Sequence, residues 1–300
     1  MTSSLATLGS SRRSKELLFA GVGVSAALLW SYWSTIQSLL HEWLNDPNYS
    51  VGLLVPIAAV YLVWLDRAKL GKLDIKPCLW GLPVIGLGEI GRTIGLIRVT
   101  EAAERYGLVL VIAGLVLLIA GKAVFQRLFW VLAFLLLMPP LPGVVHNAIA
   151  GPLQGMATRG SVFVLELMGI AVLNEGNVLL IDGEHFAVAE ACSGLRMLTA
   201  FIVVGCVLAM VVDRPRLQKA VLVGSTIPVA IACNLTRLVC TVLLFKVTNA
   251  DVAKTFFHDF AGWTMMPLAV VMLLVELWIL GKLFVTAPST PSGATSALSS

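Results

Sequence analysis

The chain reads as an all-α polytopic membrane protein with about eight transmembrane helices, an amphipathic helix on the outer face and a small β-hairpin. Three observations predict this. Of the 300 residues, 58% are hydrophobic and 13% charged, and the mean hydropathy is +0.91; a soluble domain carries about 25% charged residues. The apolar residues come as long unbroken runs and not as stripes or alternations. A helix needs about 20 apolar residues to cross a bilayer core, and such runs recur almost end to end. The charges fall in short clusters between the runs and sum to +4. That pattern carries topology and is not a nucleic-acid footprint, so no nucleic-acid partner is expected.

The elements follow in order. Residues 1–16 are polar and Ser-rich, carry Arg12, Arg13 and Lys15, and are read as a cytoplasmic segment. The apolar run behind them reaches about Leu40 without a clear small-residue cleavage site, which favours a retained helix over a signal peptide. The runs predict helices at about 17–40, 51–65, 78–97, 106–121, 128–138, 193–212, 220–246 and 260–283. Residues 17–285 thus form one membrane domain. Residues 286–300, rich in Pro, Ser, Thr, Ala and Gly, are expected to be a disordered cytoplasmic tail. With the N-terminus inside, the inner loops hold thirteen Lys and Arg residues against five outside, the latter being Arg98, Arg105, Arg159, Lys246 and Lys254. This positive-inside bias puts both ends in the cytoplasm of a cell with the chain in its inner membrane.

One long outer segment, from about Pro139 to Ala191, interrupts the pattern. Pro139-Pro140-Leu141-Pro142 ends the preceding helix. An interfacial helix is expected near 152–173, where Gln154, Arg159 and Glu166 break the apolar run. A ninth crossing there would reverse everything after it, against the charge pattern. The stretch Val178 to Ala189 reads as a hairpin turning at Asp182-Gly183.

Polar groups enter apolar surroundings at Glu190 to Arg196, Asn234 to Arg237 and Phe257 to Asp259, and ionisable residues inside a membrane mark function. Their depths agree. Measured along the helices from the cytoplasmic charges, Cys192 stands roughly 31 Å up, Arg237 roughly 27 Å and His258 roughly 36 Å. A thiol at a helix N-terminus, a guanidinium and a histidine are what acyl transfer to a thiolate needs. Arg196, four residues after Cys192, is expected on the same helix face, and Asn234 on the face of Arg237. Glu190 is a supporting candidate that pairs with an arginine or stands idle. His146 and His185 rank below His258 because neither is expected to open a helix beside the site. Taken singly, each residue also has an ordinary structural reading, a cysteine at a helix end being most often a packing residue. The five cysteines include no CxxC pair and no metal-ligand spacing, so neither a disulfide framework nor a metal or other cofactor is expected.

At these blocks the chain resembles the exosortase/archaeosortase family of membrane cysteine transpeptidase-like proteins. The resemblance lies in Glu190-Ala-Cys-Ser-Gly-Leu-Arg196, in Asn234-x-x-Arg237, in His258, and in Asp46-Pro-Asn-Tyr-Ser-Val-Gly-Leu-Leu-Val-Pro56. In the last block the family commonly has histidine where this chain has Val51. The resemblance implies Cys192 as nucleophile, Arg237 as transition-state stabiliser and His258 as acid/base. It implies membrane-anchored protein substrates whose C-terminal sorting signal joins a motif such as Pro-Glu-Pro, a helix and a basic tail. Two other classes stay open: a multi-pass anion transporter using Arg92, Arg196 and Arg237, and a non-enzymatic scaffold for polysaccharide export.

Overall fold

The computed structural model describes residues 23, 24, 26, 27, 30–46, 48–98, 100–176, 178–181, 184–187, 194–247 and 261–283. Among them are ten helices and a three-stranded sheet. The helices are α1 (Trp33–Asn45), α2 (Leu54–Leu65), the one-turn α3 (Arg67–Leu70), α4 (Gly81–Arg98) and α5 (Glu101–Ala120). They continue as α6 (Lys122–Phe134), α7 (Gly143–Leu167), α8 (Leu195–Val211), α9 (Arg216–Val247) and α10 (Ala261–Leu283). The strands are β1 (Val172–Glu175), β2 (Val178–Ile181) and β3 (Glu184–Ala187). The segments 1–16 and 286–300, and the turn Asp182-Gly183, lie outside the described residues.

The surface is far more apolar than that of a soluble fold. Ile57, Val60, Trp64, Leu87, Ile97 and Trp130 are exposed, while Arg105 is only 4% exposed. Exposed apolar surface on this scale needs a lipid or protein partner. Two helices, Glu101–Ala120 and Arg216–Leu244, are each long and apolar enough by themselves to cross a bilayer. That is fewer than the eight expected. The described apolar stretches Ser50–Leu65, Leu195–Val211 and Val270–Ile279 are shorter, and α4 carries Glu89 and Arg92 within its length. α7 has 25 residues yet is not among the candidate spans.

α4 and α5 form the tightest pair. Gly81 and Gly88 on α4 stand against Gly114 and Gly107 on α5, seven residues apart on both helices. A Cβ on Gly88 would lie 2.8 Å from Gly107 O, so the two backbones are in contact. In lipid, where no hydrophobic effect drives helices together, such close approach supplies the packing energy. α1 closes over this pair through polar groups. Arg105 pairs with Glu42 and Glu101 and donates to Ser38 Oγ at 2.9 Å. Thr35 Oγ1 donates to Glu104 Oε2 at 3.3 Å, and Arg92 is held by Ser31 and Glu89. Arg105 was expected in an outer loop; α5 starts five residues earlier than the apolar run suggests, because Glu101 and Glu104 open it and gain from its N-terminal dipole.

The outer segment departs most from expectation. α7 begins at Gly143 and ends at Leu167, not near 152–173. The chain turns helical as soon as the prolines end: Pro142, at ψ 138, caps the helix, and His146 N donates to its carbonyl at 2.8 Å. Gly169, at φ +81, stops it. The hairpin of β2 and β3 is present, with Ile181 opposite Glu184, and β1 adds a strand that the alternation does not reveal. Buried Leu179 and Val172 pack with Leu165 of α7 and Leu238, Val239 and Val242 of α9, so the sheet sits on the C-terminal part of α9.

Candidate functional site

The site is built where α7, α8 and α9 converge. Leu195, Leu198 and Phe201 of α8 share one buried cluster with Ala230 and Cys233 of α9, and Leu153 of α7 packs against it. Gly194 caps α8 in the left-handed region at φ +81, a backbone that L side chains rarely adopt. It also has no room for a side chain. A Cβ there would lie 2.8 Å from Asn234 Nδ2 and 3.0 Å from Asn234 Cγ. The mouth of α8 therefore rests directly on the Asn234 amide.

Asn234 in turn holds Arg237. Arg237 Nη2 donates to Asn234 Oδ1 at 2.9 Å, and the two residues are 9% and 3% exposed. The contact spans three residues of α9, a spacing that puts both side chains on one helix face. The Arg237 guanidinium stays charged although buried, since arginine does not deprotonate in proteins. The cysteine block and the Asn-x-x-Arg block, forty residues apart in sequence, thus meet side chain to backbone at Gly194 and Asn234.

Cys192, Glu190 and His258 lie outside the described residues. α8 starts at Leu195, two residues after the expected start at 193, with the left-handed Gly194 as its cap. Arg196 reaches the other end of the chain, donating to Asn48 Oδ1 at 3.4 Å. Asn48 is set by a local turn in which its backbone N–H donates to Asp46 Oδ1 at 2.8 Å. Next to it, Tyr49 Oη stands 2.9 Å from His146 Nδ1, with the rings edge to face. Burial pushes the Tyr49 phenol up. His146 was ranked low because it was not expected to open a helix; it lies in the first turn of α7, beside the loop that holds Arg196. The signal for this contact was in the 46–56 block, but one sequence gives no reason to pair it with position 146.

The remaining candidates make ordinary packing or surface contacts. Cys233 Sγ packs 3.3 Å from Met272 Sδ, and the four described cysteines are free thiols. His41 is exposed at the end of α1, against Asn45. Among the described residues no cluster of His, Cys, Asp and Glu could hold a metal ion. His185 falls on β3, and its side chain is not described.

Comparison with curated proteins and with solved structures found no match. A family comparison did: the chain matches Transmembrane exosortase (Exosortase_EpsH) over residues 43–275, more than three quarters of its length. The match runs from the end of α1 into α10 and includes every block named above. The family and the apolar helices together support an inner-membrane, multi-pass location and a role in protein sorting. This chain belongs to the transmembrane exosortase family.

Proposed function

We propose that the protein is a membrane-embedded cysteine peptidase or transpeptidase that processes the C-terminal sorting signals of exported proteins. One observation carries this reading: the glycine two residues after Cys192 is seated on the amide that fixes the buried Arg237. Chain connectivity then keeps the thiol within a few residues' reach of a preorganised cation. In the proposed reaction the Cys192 thiolate attacks the carbonyl carbon of the scissile peptide bond. Arg237 stabilises the negative oxygen of the tetrahedral intermediate. The C–N bond breaks as His258 passes a proton to the departing amine, leaving a thioester on Cys192. Water or an amine then attacks that thioester and frees the thiol. Arg196, Asn234 and Glu190 act in support, Asn234 through Arg237.

The proposed topology has about eight crossings, both termini in the cytoplasm and the site facing outward. Thirteen inner against five outer cations favour it in the sequence reading, and moving Arg105 into α5 lowers the outer number further. A substrate anchored by its own helix would present its motif at that layer, so the membrane lowers the entropic cost of bringing bond and thiol together. The transporter alternative loses ground on one contact: Arg92 is taken up by Ser31 and Glu89 and not gathered with Arg196 or Arg237. The test is co-expression with a reporter protein ending in Pro-Glu-Pro, an apolar helix and a basic tail, read by intact mass. The wild type removes the tail segment, Cys192→Ala accumulates precursor, and the mass of the new end separates hydrolysis from transfer. Processing by Cys192→Ala at the wild-type rate would sink the reading.

A further inference from the structure

The block 46–56 has no task in the proposed chemistry, yet it lines a cavity. A space of about 190 Å³ lies between Asn48, Val51 and Gly52, the stretch Leu136–Leu141, and the face of α8 formed by Leu195, Leu198, Thr199 and Ile202. Its walls are pinned. Trp43 Nε1 donates to Met138 O at 3.3 Å on one side, and Tyr49 meets His146 at 2.9 Å on the other. Between them Gly52 has no room for a Cβ against Trp43 and Met138. A pocket held open by such contacts is pre-formed and is not a packing gap.

Position, size and charge say what fits. The cavity starts at Leu195, three residues past Cys192, a chain reach of at most about 11 Å. An apolar cavity of about 150 Å³ admits a benzene ring, so this one takes a single large apolar side chain and not a helix. At its polar end the lining residue Asn48 accepts from Arg196 at 3.4 Å, which brings a guanidinium, a group suited to a carbonyl or carboxylate oxygen of an extended chain, up to the cavity wall. Val51, 6% exposed, gives the wall carbon where the family pattern commonly puts a histidine.

Building on the peptidase reading, we propose that this cavity receives one apolar side chain of the substrate's extended segment, next to the bond that Cys192 attacks. Arg196 holds a substrate oxygen at the rim, and Val51 sets the preference for apolar over polar side chains.

The test needs no turnover. Benzoylphenylalanine is placed at Ile202, and in a second protein at Thr199, in the Cys192→Ala chain, reconstituted in vesicles of phosphatidylethanolamine and phosphatidylglycerol. Each is irradiated with the Pro-Glu-Pro reporter carrying leucine or aspartate in turn at the positions flanking the motif. The expected result is a crosslink that falls about tenfold when aspartate replaces leucine at one position. Adding Val51→His should erase most of that difference, and a photolabel at the exposed Trp130 should give no such pattern. Crosslinks to phospholipid alone, or to the reporter with no dependence on position, overturn the pocket. Processing by the wild-type chain is read separately. Processing without a position-dependent crosslink leaves the chemistry standing and removes the pocket; the crosslink without processing does the reverse.

Discussion

Gly194 and Asn234 carry the site at the scale of single residues, and both can be tested there. Gly194→Ala puts a Cβ into the Asn234 amide and asks alanine to adopt φ +81. The expected outcome is a folded protein whose processing rate falls at least about tenfold, since a displacement of about 1 Å at a catalytic constellation already costs that much or more. Asn234→Ala removes the acceptor of the Arg237 hydrogen bond, a charged-group bond typically worth about 1.5–3 kcal/mol. On the proposed mechanism its expected signature is a lower kcat with KM little changed, because there the guanidinium stabilises the transition state and not the bound substrate. A pure rise in KM would assign Asn234 to substrate binding instead. The Asn234–Arg237 contact was legible in the sequence because helical periodicity fixes neighbours three and four apart. The Asn48–Arg196 and Tyr49–His146 contacts were not: they join residues 148 and 97 apart, and nothing local encodes such pairings. The start of α8 shifted by two residues because a single left-handed glycine begins the helix later than the apolar run does.

Among the elements, α4 and α5 are joined by glycine against backbone, which predicts a sharp intolerance. Gly88→Leu must separate the helices or bend them, since a Cβ alone would meet Val111 Cγ2 at 2.6 Å and Gly107 O at 2.8 Å. A loss of about 1–3 kcal/mol is expected, the usual range for overpacking; Gly86→Leu, in open space on the same helix, serves as control. A thermal melt in detergent that moves equally for both would contradict the account. At the loop joining α2 to α3, Arg127 of α6 donates to both carboxylate oxygens of Asp66, at 2.6 Å for Nη2 to Oδ1. This hydrogen bonding holds the Asp66 carboxyl below the usual carboxylate range. A depressed carboxyl adds stability above its unfolded pKa and loses it as the pH falls through its folded pKa. Asp66→Asn should therefore lower stability slightly at neutral pH, by less than about 1 kcal/mol for so exposed a pair, and not at all in strong acid. An equal loss in acid would mean that the bond is not what Asp66 contributes. Most helices were legible as apolar runs, with ends shifted by a few residues. β1 and the early start of α7 were not, because a short strand and a Gly-rich helix carry weak periodicity while the proline run hides where the helix resumes.

For the whole molecule, the sequence's charge distribution makes a statement about sidedness. Alkaline phosphatase fused after Val247 should be active outside the cytoplasmic membrane and fused after Val211 inactive, and the opposite pattern would reverse the topology. The eight apolar runs were visible at once, yet by length and composition two helices of the described chain stand as membrane spans alone. The difference lies in length and charge: α2 and α8 have 12 and 17 residues, and α4 carries Glu89 and Arg92 within its length. What the whole fold does is bring the start of α8, the middle of α9 and the loop after α1 to one place, within the region that matches the exosortase family. The most direct test of the central claim is intact-mass analysis of the Pro-Glu-Pro reporter co-expressed with the wild-type, Cys192→Ala, Arg237→Ala and His258→Ala proteins. The account predicts a shortened reporter with the wild type and full-length precursor with each variant, all four proteins being present in the membrane at similar levels. A reporter shortened to the same product by the Cys192→Ala protein would contradict it.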